Sequence, residues 1–349
     1  MKKGIYIIFI IAVLSVGIAA AIAIVLSLRA IKIAEKRPVS LEQIALRCND
    51  IEFTEDVLFA GERVPLEMFN IRERYEREIL SVCYFHSNTM LLVKRSARWF
   101  PVIEPILKKY GIPDDFKYLC VAESTLTNAI SPAGAVGFWQ FMEATGKEYG
   151  LEINNEVDMR YNVELETEAA CRYFLKSYDI YHNWTLVAAS FNSGTNRLSK
   201  FLKEQKVHSY YDLLLSDETE RYIFRILAFK TILSDPEKYG IYVSKSLEYQ
   251  PFTYNIVTVD KSVSSWADFA LKHGITYKLL KIFNPWLRSK SLKITDGESY
   301  EIKIPTEPFD LTADYCNEAT GGDILNFEND SIIKLEDKLE DKLEDKLED

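Results

Sequence analysis

The chain has 349 residues, 48% of them hydrophobic and 13% aromatic, with a net charge of -10. That suffices for packed cores in two domains plus tails, and an acidic balance with no basic cluster excludes a nucleic-acid interface, so a neutral or polar polymer is the easier partner. The five cysteines and four histidines stand apart with no metal-ligand spacing, so no metal and no cofactor are expected, and the cysteines read as small buried hydrophobes.

Lys2 and Lys3 precede an uncharged run over residues 4–28, after which Arg29, Lys32, Lys36 and Arg37 follow. A membrane span needs roughly 20 apolar residues and a signal-peptide core about 7–15. Residues 1–35 are therefore expected to be a signal-anchor, or a signal peptide cut in the small-residue tract 17–21. With the lysines inside, the remainder is exported, and the expected location is the periplasmic face of the inner membrane, held by residues 4–28.

Residues 36–84 read as a connector and helical preamble. Arg72, Arg74 and Arg77 interleave there with Glu73, Glu76 and Glu78, which predicts a solvated helix face. The preamble's helical texture continues to residue 110. Residues 113–240 then read as helices with short breaks marked by Gly or Asn. Phe116, Leu119, Cys120 and Glu123 fall at i, i+3, i+4 and i+7, one stripe of a helix. Three members are apolar and the fourth is an acid. Partial desolvation would raise its pKa and leave it a proton to give near neutral pH. Periodicity alone favours the plainer reading, in which Glu123 is the last charged residue of a helix drifting to solvent, since an unpaired Glu is rarely buried.

Asp114 and Asp115 are expected to complement the positive end of that helix. A helix over 165–181 would align Leu165, Ala169 and Tyr173. A short apolar one over 184–191 reads as central, with Gly194 as its left-handed cap. A third over 219–233 buries Tyr222, Ile223, Ile226 and Leu227 and stops at Asp235-Pro236.

From Pro251 the texture changes. Strand 253–259, helices 265–272 and 276–284, and strand 299–304 make a small α+β unit over 251–306. Residues 307–349 form an acidic tail ending in four copies of Lys-Leu-Glu-Asp, a solvated extension with like charges stacked at i,i+4.

Three pieces stand in order: Glu123-Ser124; Ser131 through Gly137-Phe138-Trp139-Gln140; and Ala189-Ser190-Phe191-Asn192-Ser193-Gly194. Together they resemble the lytic transglycosylases of the soluble-lytic-transglycosylase type, and most of all the membrane-bound murein transglycosylase D group. There an ES pair, a GxxQ turn and an AYN-x-G helix end surround one glutamate. The resemblance spans about residues 85–240, with Glu218-Thr219 to Tyr222 similar to the family's closing helix. It implies a mainly α fold, with a lysozyme-like catalytic domain over 85–245. The implied reaction cleaves the MurNAc–GlcNAc bond of peptidoglycan without water, Glu123 acting first as acid and then as base.

By the same likeness Ser131, Gly137, Gln140, Phe191, Asn192 and Tyr222 border the substrate. Ser131 would bond the N-acetyl group or the glutamate, and Gln140 would line the cleft. Phe191 departs from the family's usual tyrosine; losing that hydroxyl would raise the Glu123 pKa, slow the enzyme, or leave the task to Tyr222. Glu143 and Asp158, the nearest other acids, read as surface or structural, and Phe138 and Trp139 as core, with stacking on sugar the alternative. Residues 251–306 resemble a LysM module, a βααβ unit that binds N-acetylglucosamine chains, through Asn284-Pro285 and the 300–305 strand. The usual Gly-Asp-Thr is replaced by Asp260-Lys261-Ser262, which leaves a purely packing role open beside glycan binding. A hydrolase with a goose-type lysozyme outcome and a non-catalytic peptidoglycan-binding scaffold are the alternatives.

Overall fold

The computed structural model describes residues 56–306; the expected export segment, residues 36–55 and the 307–349 tail lie outside them. Helix α1 (Phe69–Tyr84) buries Ile71, Tyr75, Glu78, Ile79 and Val82, a stripe at helical spacing. Each aliphatic side chain so buried contributes about 1.5–3 kcal/mol. The stripe corrects the expectation of a wholly solvated charged face over 72–78. Glu78 is 2% exposed and paired with Arg221, while Arg74 reaches Glu220 at 2.7 Å. Helix α2 (His86–Lys109) follows directly.

Helix α3 (Phe116–Ser124) buries Phe116, Leu119 and Cys120 completely. Its capping differs from expectation. Asp115 makes no side-chain cap bond; its carboxylate instead accepts from Ala60 N at 2.6 Å and pairs with Lys230 at 2.7 Å. Asp114 pairs with Lys117.

Beyond it come the two-residue strands β3 (Ala129–Ile130) and β4 (Val136–Gly137), and the short helix α4 (Glu143–Glu148). Helix α5 (Val163–Tyr181) starts on an Asn162 cap, and its inward stripe is Glu166, Ala169, Ala170, Tyr173, Phe174 and Ser177. Leu165, expected on that edge, is 39% exposed.

Helix α6 (Trp184–Ser193) is buried from Thr185 to Ser190, as its apolar composition predicts. Its N-terminus is closed by Asn183 and by Glu62, whose carboxylate accepts from Trp184 N at 2.6 Å and Thr185 N at 2.9 Å. Glu62 lies in a hairpin of β1 (Leu58–Phe59) and β2 (Glu62–Arg63) within the stretch read as connector. Gly194 follows at φ 82°, ψ 137°, a positive-φ geometry but not the left-handed helical cap expected. Helix α7 (Thr195–Gln205) starts at once from it. Helix α8 (Asp217–Ser234) packs on α1, α3 and α6, and buries Tyr222, Ile223, Ile226 and Leu227 as the sequence predicts.

The C-terminal unit is β5 (Tyr254–Val259), α9 (Trp266–Lys272), α10 (Tyr277–Phe283) and β6 (Tyr300–Pro305), the strands antiparallel from Tyr254↔Pro305 to Val259↔Tyr300. Asn284 is fully buried and ties α10 to β6, its amide donating to Lys303 O and accepting from Lys303 N, both at 2.8 Å. Ser265 caps α9, a role the missing Gly-Asp-Thr leaves open. Among the described residues no helix is long and apolar enough to cross a membrane.

Candidate functional site

Glu123 ends the inward stripe of α3. Immediately after it the chain turns through Thr125 (φ 53°) and Leu126 (φ 56°), two left-handed residues with side chains. Such conformations cost on the order of 1 kcal/mol or more each and need support. Arg95 gives it by donating to Thr125 O at 3.1 Å, and Thr127 donates to Ser124 O at 2.8 Å. Glu123 is partly buried and accepts a short hydrogen bond from the Tyr222 hydroxyl. Burial pushes its pKa from 4.5 up to about 7, against the lowering effects of the Tyr222 bond and the Arg225 charge and with a further rise from Glu218. The Tyr222 hydroxyl is itself held well above its usual range by burial and by the neighbouring carboxylate. A carboxyl poised near 7 can both give and receive a proton at neutral pH.

The GxxQ turn stands beside α3. Gly137 has φ 94°, and a Cβ there would lie 2.0 Å from Arg160 O and 2.4 Å from Glu166 Oε1, so no larger residue fits. Gln140 is left-handed at φ 55°, and its amide donates to Ala129 O at 3.0 Å and Gly137 O at 2.8 Å, bridging β3 and β4. Ser131 closes the loop between those strands by accepting from Ala135 N at 2.9 Å. Both side chains are thus bonded to the loop's own backbone, and neither bonds to Glu123.

Phe191 packs among Tyr173, Phe174, Phe141 and Trp139, with ring centroids 5.0–6.3 Å away. The hydroxyl partner of Glu123 comes from Tyr222 instead. Asn192 is partly exposed, and its side chain makes no hydrogen bond among the described residues. Trp139 and Phe138 are core, at 0% and 2% exposure. Glu143 is exposed and pairs with Lys147, and Asp158 is buried against Arg160. A cavity of about 340 Å³ lined by Glu62, Asn183, Thr185, His208 and Tyr211 lies at the N-terminal end of α6 and contains none of these site residues.

One residue important to the site escapes sequence reasoning. Glu166 is fully buried on α5, and its two oxygens accept from Phe138 N at 2.7 Å and Trp139 N at 2.9 Å. Burial drives its pKa well up, opposed by those backbone bonds. On the other side Cys120 Sγ donates to Phe138 O at 3.5 Å. The turn is therefore pinned between α5 and the helix that carries Glu123. Glu166 lies three residues after Val163, three before Ala169 and seven before Tyr173, a possible signal because a carboxylate in an apolar stripe demands a partner.

Residues 101–213 match the transglycosylase SLT domain, and residues 255–308 match the soluble lytic transglycosylase C-terminal LysM-like domain. The chain carries an SLT domain followed by a LysM-like domain. Membrane-bound lytic murein transglycosylase D of Escherichia coli strain K12 is 28% identical over 261 residues, 72% of this chain and 56% of that protein. The protein of the same name from Escherichia coli O6:H1 gives the same figures. The chain thus spans a little over half the length of the curated relatives it matches. A solved inactive mutant of lytic transglycosylase Slt from Pseudomonas aeruginosa aligns at 16% identity and TM-score 0.33 over 53% of this chain and 36% of that one, a likeness on which no assignment here rests. The SLT match contains Glu123, the GxxQ turn and α6, while Tyr222 lies beyond it.

Proposed function

We propose that this protein is a peptidoglycan lytic transglycosylase of the cell envelope. The observation that carries the reading is the half-buried Glu123, raised to about pKa 7 with Tyr222 as its one hydrogen-bond partner among the described residues, on the helix whose Cys120 meets the GxxQ turn. In the proposed reaction the Glu123 carboxyl gives its proton to the oxygen joining MurNAc to GlcNAc as the C1–O bond breaks. The carboxylate so formed takes the proton of the MurNAc C6 hydroxyl, whose oxygen closes on C1 as a 1,6-anhydro ring. The proton count returns to its start and no water is consumed. A single acid that alternates needs a pKa near the working pH, and the α3 stripe supplies it by desolvation.

On the same reading residues 85–245 form the catalytic domain, with Gly137, Gln140, Phe191 and Asn192 shaping the glycan cleft and Ser131 ordering its loop. Residues 251–306 are a glycan-binding unit, and residues 4–28 anchor the chain in the inner membrane. Digestion of purified sacculi followed by mass analysis tests the proposal. Anhydro-MurNAc ends from the wild type and none from Glu123→Gln are expected; reducing MurNAc ends would point to hydrolysis, and binding without release to a scaffold.

A further inference from the structure

The segment 152–166 has two faces, and each holds something different. Its outer face carries the LysM-like unit. Asp158 N donates to Trp286 O at 2.9 Å, Arg288 N donates to Glu156 O at 2.7 Å, and the Arg288 guanidinium lies 4.2 Å over the Tyr161 ring. Tyr300 donates to Glu152 at 3.0 Å, and Lys303 pairs with Glu164 at 2.5 Å. One ion pair, Glu164 with Lys303, and one hydroxyl–carboxylate bond, Tyr300 with Glu152, thus reinforce the backbone bonds between the two sides. The connection between the domains is held too: Arg98 donates to Gln250 O at 2.9 Å and lies over the rings of Tyr249 and Phe252. A tether built to swing would leave such groups in water.

The inner face of the segment holds the loop of the candidate site. The Asp158 carboxylate takes Arg160 in a fork, Nε at 2.9 Å and Nη2 at 2.7 Å. Arg160 Nη1 then donates to Gly134 O at 3.3 Å and Phe141 O at 3.2 Å, near the two ends of the turn that presents Gly137 and Gln140. Both members of the pair are 7% exposed. An unbroken chain of hydrogen bonds therefore runs from the Trp286 carbonyl through Asp158 and Arg160 into that loop. A planar guanidinium held at one edge has little freedom at the other.

We propose that the LysM-like unit is a fixed positioning element of the SLT domain: docked on residues 152–164, it orders the 131–141 loop through Asp158 and Arg160 and so sets turnover. The inference rests on the proposed function for its kinetic arm only. Two full-chain variants test it. Arg288→Glu with Lys303→Glu turns two surface bases against Glu152, Glu156 and Glu164 and undocks the unit without touching its core. Arg160→Lys keeps the buried charge and removes the fork.

Both variants are expected to speed amide hydrogen exchange across 134–141 by about tenfold or more. In the double variant strands 254–259 and 300–305 keep their protection, which reports a folded unit; if they lose it, Arg288→Ala replaces the double variant and is expected to give the same direction at smaller size. On a soluble tetrasaccharide of alternating GlcNAc and MurNAc, kcat falls about tenfold with KM within about twofold. Loop exchange unchanged in the undocked variant overturns the proposal, as does faster exchange with unchanged kcat. A wild type that cleaves no glycan removes the proposed function, while the exchange result still decides the positioning.

Discussion

Helix α8 lies between two buried carboxylates and treats them in opposite ways. Toward α1 it offers Arg221, 2.5 Å from Glu78 Oε1, and Arg225, 3.5 Å from Oε2. Toward α3, one residue along, it offers only the Tyr222 hydroxyl to Glu123. Glu78 has two cations beside it and joins the packing between helices as an ion-paired side chain. Glu123 has one neutral donor and feels Arg225 only at a distance, so desolvation wins and the proton stays to about pH 7. Desolvation acts at both sites; what separates an ion-paired acid from one with a raised pKa is how little compensates it.

The sharpest way to break the comparison is Glu123→Gln. Sacculus digestion should fall by roughly 10³-fold, the size of a general acid–base contribution. The same change should stabilise the fold in a pH-dependent way. The folded pKa of about 7 exceeds the unfolded 4.5, so the native state is relatively favoured at low pH and carries a penalty that grows as pH rises between those values. Removing the acid therefore gains nothing near pH 4 and at most about 3 kcal/mol at pH 8, read from urea unfolding at the two pH values.

Glu78→Gln should do the reverse. It leaves Arg221 and Arg225 facing a buried site without a counter-charge, at a cost of about 3–5 kcal/mol in the same unfolding measurement, while turnover per folded molecule changes little. Tyr222→Phe comes next. It removes the donor that lowers the Glu123 pKa, so activity should fall roughly tenfold, about 1.4 kcal/mol of barrier, and the alkaline limb of the pH–rate profile should move upward. The smallest effect is expected from Phe191→Tyr. Phe191 is one ring in an aromatic cluster and the hydroxyl role is already filled, so muropeptide release should stay within about threefold; a larger gain would mean that Tyr222 does not suffice.

The local parts of this arrangement were legible and the long-range parts were not. The α3 stripe could be read from spacing because Phe116, Leu119, Cys120 and Glu123 all lie within two turns. The βααβ elements were legible to within a residue or so at most ends, since strand alternation and helix caps are local signals. Glu78 was misread as solvated because alternating charges mimic a surface, and the partners that allow its burial are 143 residues away on α8. Glu62 was hidden in an aperiodic connector because its partners, the N–H groups of Trp184 and Thr185, lie 122 and 123 residues on. Ser131 and Gln140 were placed near substrate by resemblance, yet their side chains order the loop backbone, a role invisible without the register of β3 and β4.

The central claim, that desolvation leaves the Glu123 carboxyl its proton near neutrality, is open to direct titration. Carbon-13 NMR of carboxyl-labelled glutamate in the full chain, with the Glu123 signal assigned by its loss in Glu123→Gln, reads the midpoint. A value near 7 is the expected result; a midpoint at the ordinary 4.5 would contradict the account.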